Sequence, residues 1–278
     1  MLKNIMDRLA FSTLGCPGWD FETIIKQAKK LGYSALELRG IEDELNIEAL
    51  PIFINGKYKE TNKVLADNGL FICNAGTSVF FHNADGYNAA INEGKTAIDM
   101  CHLTGIPAIR VFGDSIPPGD SVDEVNKRII DGINELIGYS DKETGGSVQI
   151  WIEVHGEYNT PQMLSPVVDR FIDNPGFGMI WDIQHSYKAG IKPADFYNIF
   201  KPVIRHVHFK DCIFEDGNPI ITLPGDGVIP IKEHYDLLEA GGYKGIYSFE
   251  WEKRWHPDLP EPEIAFVRYA ELMNGIAK

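Results

Sequence analysis

Long apolar runs are missing from this chain: no stretch approaches the roughly 20 apolar residues of a membrane span, so no membrane partner is expected. Cysteine is scarce. Its four copies, Cys16, Cys73, Cys101 and Cys212, are scattered and form no CxxC pair. That argues against a disulfide framework or a cysteine-bound structural zinc, and it fits reduced thiols in a cytoplasmic protein. Positive charge is short as well. Lys and Arg total 26 against 40 Asp and Glu, a formal net charge of −14. Such a chain lacks the basic footprint of a phosphate-backbone binder, and no nucleic-acid partner is expected. No linker, low-complexity segment or charge block marks a second domain. The opening residues, MLKNIMDR, are broken by charges and do not read as a secretory leader.

What is present is a regular alternation. The chain has 278 residues, 44% of them hydrophobic, and a chain of this size buries about 75% of its unfolded surface without staples. Strand-like runs are read at 9–14, 35–39, 70–76, 108–112, 148–155, 178–182, 205–209 and 245–250. Helical patterns follow each of them, at 21–31, 46–68 (broken by Pro51 and Gly56), 88–103, 121–140, 160–171, 193–201, 231–240 and 262–276. Strict alternation implies a parallel sheet with helical crossovers, and eight units close into an α/β (β/α)8 TIM barrel, a single domain spanning 1–278. A doubly wound open sheet is the rival. Its dinucleotide turn is missing, because Gly15-Cys16-Pro17-Gly18 has the wrong spacing.

Four runs in the second half each carry a metal-ligating side chain near their end. They are 148–155 (VQIWIEVH), 179–185 (MIWDIQH), 204–211 (IRHVHFKD) and 245–252 (GIYSFEWE), and the side chains are Glu153, Asp182, His208 and Glu250. In a barrel, active sites sit at the C-terminal strand ends. Each residue alone has an ordinary explanation: a surface glutamate, a capping aspartate, a packed histidine. Together, three carboxylates and an imidazole on buried strands would be costly without a shared cation. The expected cofactor is one divalent metal ion. The oxygen-rich set suits Mn²⁺ or Mg²⁺, and the imidazole also permits Co²⁺ or Zn²⁺.

A cation beside two glutamates suggests proton transfer next to a carbonyl, through a metal-stabilised enediolate. Glu153 and Glu250 are the expected acid/base pair. His185 and Lys210 are the best substrate contacts, with His155 and Glu157 beside them. His206 reads as a packed core histidine one layer deeper, and Arg254 as a solvated charge. Trp19, Arg39, Phe80 and Phe81 are unranked candidates for substrate choice. The loop 223–227 (LPGDG) reads as a tight turn in preference to a phosphate cradle, since Asp226 would repel an anion.

These residues resemble the sugar isomerase/epimerase superfamily with a xylose-isomerase-like barrel. The resemblance covers almost the whole chain and is carried by WIEVHG (151–156), WDIQHS (181–186), HVHFKD (206–211), PGDG (224–227) and SFEWEKRWHP (248–257). It implies that Glu153, Asp182, His208 and Glu250 bind one divalent metal, that the two glutamates exchange protons, and that His185 contacts substrate. The superfamily also holds a three-zinc DNA-repair endonuclease. Its extra histidine in the loop after strand seven is lacking here, where that loop reads CIFEDGNPIITLPGDG (212–227). The expected function is isomerase or epimerase action on a small ketose, inosose or related sugar. The alternatives are a dehydratase on a keto-polyol using the same metal site, or a non-catalytic sugar binder. A homo-oligomer is left open.

Overall fold

The computed structural model describes residues 5–278, so residues 1–4 of the stretch read as carrying no leader lie outside it. Eight parallel strands close into a barrel, the expected α/β (β/α)8 architecture. In chain order they are β1 (Leu9–Ser12), β2 (Ala35–Leu38), β3 (Phe71–Phe80), β4 (Ala108–Phe112), β5 (Gln149–Glu153), β6 (Phe177–Asp182), β7 (Ile204–Phe209) and, after a hairpin of β8 (Asp211–Glu215) and β9 (Asn218–Thr222), β10 (Ile246–Phe249). The helices are α1 (Phe21–Leu31), α2 (Tyr58–Asp67), α3 (Tyr87–Thr104), α4 (Val122–Thr144), α5 (Pro161–Val168), α6 (Ile183–Lys188), α7 (Pro193–Phe200), α8 (Ile231–Ala240) and α9 (Pro262–Ile276). No helix among the described residues is long and apolar enough to cross a membrane.

The helix ends follow local chemistry. Asp20 caps α1 by accepting from the Thr23 N–H, and Gly32 closes it in the left-handed conformation. Ser121 and Glu124 form a reciprocal capping box at the start of α4.

The described residues pack as two compact units, residues 5–73 with 206–278, and residues 74–205. In the first, β1 pairs with β2 and β10, and β10 pairs with β7. Its odd-numbered β1 and β10 residues face the helices: Phe11 stacks on Phe266 at 4.2 Å and Phe249 on Tyr269 at 4.7 Å. The opposite, barrel-facing side of β1 and β10 is small there. Ala10 registers with Ala35 and with Ser248, which leaves room for the longer Glu37, His206 and His208. In the second unit, Ala108, Trp151 and Ile180 fill one layer. Gly178 makes that possible, since an added Cβ would sit 2.5 Å from Trp151 Cδ1.

Three departures from the sequence expectation have physical causes. The loop after β7 is an antiparallel hairpin, turning at Asp216 and Gly217 with φ of 49° and 77°. An Asp-Gly pair between two apolar runs is a hairpin signal, but Pro219 argues against a strand and masked it. Helix α6 was unexpected because it is only six residues long. Strand β3 runs on to Phe80 past the expected stop at Gly76, through a register shift between Gly76 and Val79.

The 223–227 loop is a turn organised by one buried carboxylate. Asp211 accepts from the backbone N–H groups of Cys212, Gly225, Gly227 and Ile229 at 2.9–3.1 Å. The Gly225 and Gly227 donors are spent on Asp211, which disfavours a phosphate cradle. A Cβ on Gly227 would meet Asp211 Oδ1 at 2.2 Å and the Cys212 carbonyl at 2.5 Å. Gly227→Ala is therefore expected to lower stability by about 1–3 kcal/mol, read from the urea midpoint. An unchanged midpoint would show that the loop yields freely.

Candidate metal and active site

Glu153 is the last residue of β5, Asp182 the last of β6, His208 the penultimate residue of β7, and Glu250 follows β10 directly. One ligand atom from each of these four lies within 4.8 Å of the others, and all four residues are buried. The strand-end reading thus brings its four expected ligands together. Three carboxylates and an imidazole at that spacing suit a divalent cation, so the donor set fits the expected metal.

Each ligand has a distinct environment. Asp182 is also a helix cap: its Oδ1 accepts from Gln184 N at 2.8 Å and His185 N at 3.2 Å, which starts α6. Glu153 pairs with Arg110 of β4, Nη1 to Oε2 at 3.0 Å, with both side chains almost fully buried. Arg110 also donates to the Thr77 carbonyl at 3.1 Å and lies over the Phe112 ring at 4.3 Å. Glu250 Oε2 accepts from Lys210 Nζ at 2.8 Å and faces His208 Nδ1 at 3.4 Å. Lys210 reaches Glu252 as well, at 2.7 Å. The other His208 nitrogen, Nε2, lies 2.9 Å from Glu37 Oε2.

Glu37 had no place in the sequence reading, and it is fully buried. Burial alone would raise its pKa. The charges and hydrogen bonds of His208 and His206 outweigh that and hold the carboxyl far below the usual carboxylate range. His206, expected as a packed core histidine, is indeed buried, and its ring makes a 2.8 Å hydrogen bond to Glu37 Oε2.

The expected substrate contacts have different partners. Lys210 is in the Glu250 group. His155 and His185 are ring neighbours at 4.5 Å, and His155 Nδ1 lies 2.7 Å from Asp114 Oδ1. That hydrogen bond, ahead of all other influences, lowers the Asp114 pKa. Glu157 is exposed, and its carboxylate accepts from the Ile116 N–H at 2.6 Å. A cavity of about 390 Å³ beside Asp114 is lined by Phe80, His82, Asn83 and Glu93 among others. Phe80 thus borders this cavity, its ring stacked on Phe112 at 4.6 Å.

Phe81 is fully buried against Gly132, where an added Cβ would lie 2.5 Å from its ring. Trp19 is likewise committed, its indole donating to Glu263 and its ring edge-on to Phe266. Arg254 donates to the Glu42 carbonyl.

Residues 25–270 match the family described as xylose isomerase-like TIM barrel. The chain belongs to that family. Among curated relatives, it is 29% identical over 262 residues to the inosose dehydratase of Serratia proteamaculans (strain 568), covering 80% of this chain and 85% of the relative. Its fold is shared by a D-tagatose 3-epimerase-like protein, with a TM-score of 0.77 and 18% identity over 97% of each chain. It is also shared by an IolI protein solved with a bound zinc atom, with a TM-score of 0.74 and 18% identity over 97% of this chain and 95% of the other.

Proposed function

We propose that this chain is a divalent-metal-dependent dehydratase acting on a cyclic keto-polyol of the inosose type. The observation that carries the reading is the buried set Glu153, Asp182, His208 and Glu250, with ligand atoms within 4.8 Å of one another. The similarity to a relative named inosose dehydratase points the same site at elimination. The dehydratase alternative thus displaces isomerisation as the preferred reading.

When bound, the cation supplies positive charge that polarises the substrate carbonyl and acidifies the neighbouring C–H. Mn²⁺ or Mg²⁺ suits the three carboxylates, and Zn²⁺ or Co²⁺ suits the imidazole. One of Glu153 and Glu250 takes the proton beside the carbonyl. The C–O bond to the β-hydroxyl breaks, and the other carboxyl returns a proton to that oxygen, releasing water. Lys210 neutralises and orients Glu250, while Arg110 does so for Glu153. We assign substrate contact to His185, His155 and Glu157.

The test is incubation with inososes and ketoses in D₂O with Mn²⁺, with EDTA as control, followed by proton NMR and mass spectrometry. EDTA-sensitive loss of one C–H signal together with loss of one water is the expected result. A product of equal mass would restore the isomerase reading. No exchange with any sugar, in protein shown to hold one metal per chain, would favour a non-catalytic binder.

A further inference from the structure

Glu37 projects from β2, where its neighbours Leu36 and Leu38 face the other way. Three donors converge on its carboxylate. His206 Nε2 lies 2.8 Å from Oε2, His208 Nε2 lies 3.0 Å from Oε1 and 2.9 Å from Oε2, and Ser248 Oγ donates to Oε2 at 2.9 Å. All four residues are essentially excluded from solvent. The register explains the convergence. His208 stands opposite Ser248, and Ser248 opposite Ala10, so no bulky side chain separates Glu37 from the imidazoles.

A histidine ring has two nitrogens, and what one binds decides what the other can offer. With Nε2 donating to Glu37, His208 presents the Nδ1 lone pair. That is the atom facing Glu250 at 3.4 Å. We infer that Glu37 is a positioning residue for metal binding: it fixes the ring orientation and tautomer of His208 and raises the basicity of Nδ1, with His206 and Ser248 holding the carboxylate in place. Outer partners of this kind commonly alter metal affinity by about 10- to 100-fold when removed.

Glu37, His206 and His208 could instead be read as a second cation site, since their atoms also cluster. The hydrogen bonds argue against it. The hydroxyl of Ser248 and both Nε2 atoms sit at 2.8–3.0 Å from the carboxylate, the separation of donor and acceptor.

The inference rests on the proposal that His208 is a metal ligand, and one experiment separates the two. Zn²⁺ affinity and stoichiometry are measured on the full chain by competition with a chromogenic chelator, for wild type and Glu37→Gln. Visible absorption of the Co²⁺-loaded proteins is recorded alongside. Glutamine keeps the volume and one acceptor but removes the charge. The expected result is one ion per chain in both, about 10- to 100-fold weaker Zn²⁺ binding in the variant, and a shifted Co²⁺ spectrum. A merely structural role would lower the thermal midpoint of the metal-free protein while leaving affinity within twofold and the Co²⁺ spectrum unchanged. That outcome would overturn the inference, as would two ions bound by wild type. Wild type that binds no ion would instead overturn the metal reading itself. Should Glu37→Gln fail to fold, Ser248→Ala carries the same test, with an expected loss of about two- to fivefold.

Discussion

Glu250→Gln is expected to lower turnover of a keto-polyol by about 10²-fold or more at saturating metal, and Glu153→Gln by a similar factor. The amide keeps the shape of the side chain and an oxygen for the cation, but it cannot accept or return a proton. Metal content must be measured in each variant, because both residues are also proposed ligands. Their surroundings predict different second effects. In Glu250→Gln, the Lys210 ammonium loses the Glu250 carboxylate and keeps Glu252. In Glu153→Gln, the Arg110 guanidinium keeps the Thr77 carbonyl and the Phe112 ring but loses its ion pair with Glu153. Hydrogen exchange assigns the roles. The variant that loses C–H exchange with D₂O has lost the base. The variant that still exchanges but no longer expels water has lost the acid. Near-wild-type turnover in either would remove that glutamate from the mechanism.

The proposed ligands were legible because a parallel barrel strand is a short apolar run, and a ligand at its C-terminal end breaks the run visibly. Glu153 closes QIWIE and Asp182 closes FGMIWD in this way. The residues behind the ligands were not legible. Glu37 sits inside ALEL and Arg110 inside AIRVF, where a charge on alternate positions looks like an ordinary solvated face. A signal was nevertheless present. In a parallel sheet covered by helices, both faces of a strand are buried, so a mid-strand Glu or Arg needs a partner inside the barrel. Once eight β/α units had been counted, Glu37 and Arg110 could have been marked on that ground alone. Their partners could not, because register across strands is set by packing that no single-strand pattern contains. Asp114 was hidden differently. Its positive φ of 68° is tied to Gly156, where a Cβ would lie 2.4 Å from the Asp114 carbonyl oxygen, a close approach created only by the fold.

Arg110→Met is expected to destabilise the metal-free protein by about 3–5 kcal/mol, the usual cost of removing one partner from a buried ion pair. Met preserves much of the apolar stem that lies along Phe112, so the loss reports chiefly the charge left on Glu153. Urea unfolding monitored by tryptophan fluorescence measures it. Two further measurements separate charge from packing. Arg110→Met combined with Glu153→Gln removes both charges, and most of the stability should return, because the coupling between contacting residues is not additive. If the double variant is as unstable as Arg110→Met alone, the arginine acts through packing. Adding Mn²⁺ to Arg110→Met should also raise its midpoint, because an ion held by the folded state stabilises that state by mass action. The single variant should gain at least as much from the ion as wild type, since the cation then supplies positive charge beside Glu153 that Arg110 no longer provides. A smaller gain would mean that Arg110 is needed to hold Glu153 in the ligand position, and would make it a positioning residue on the β4 side as Glu37 is on β2.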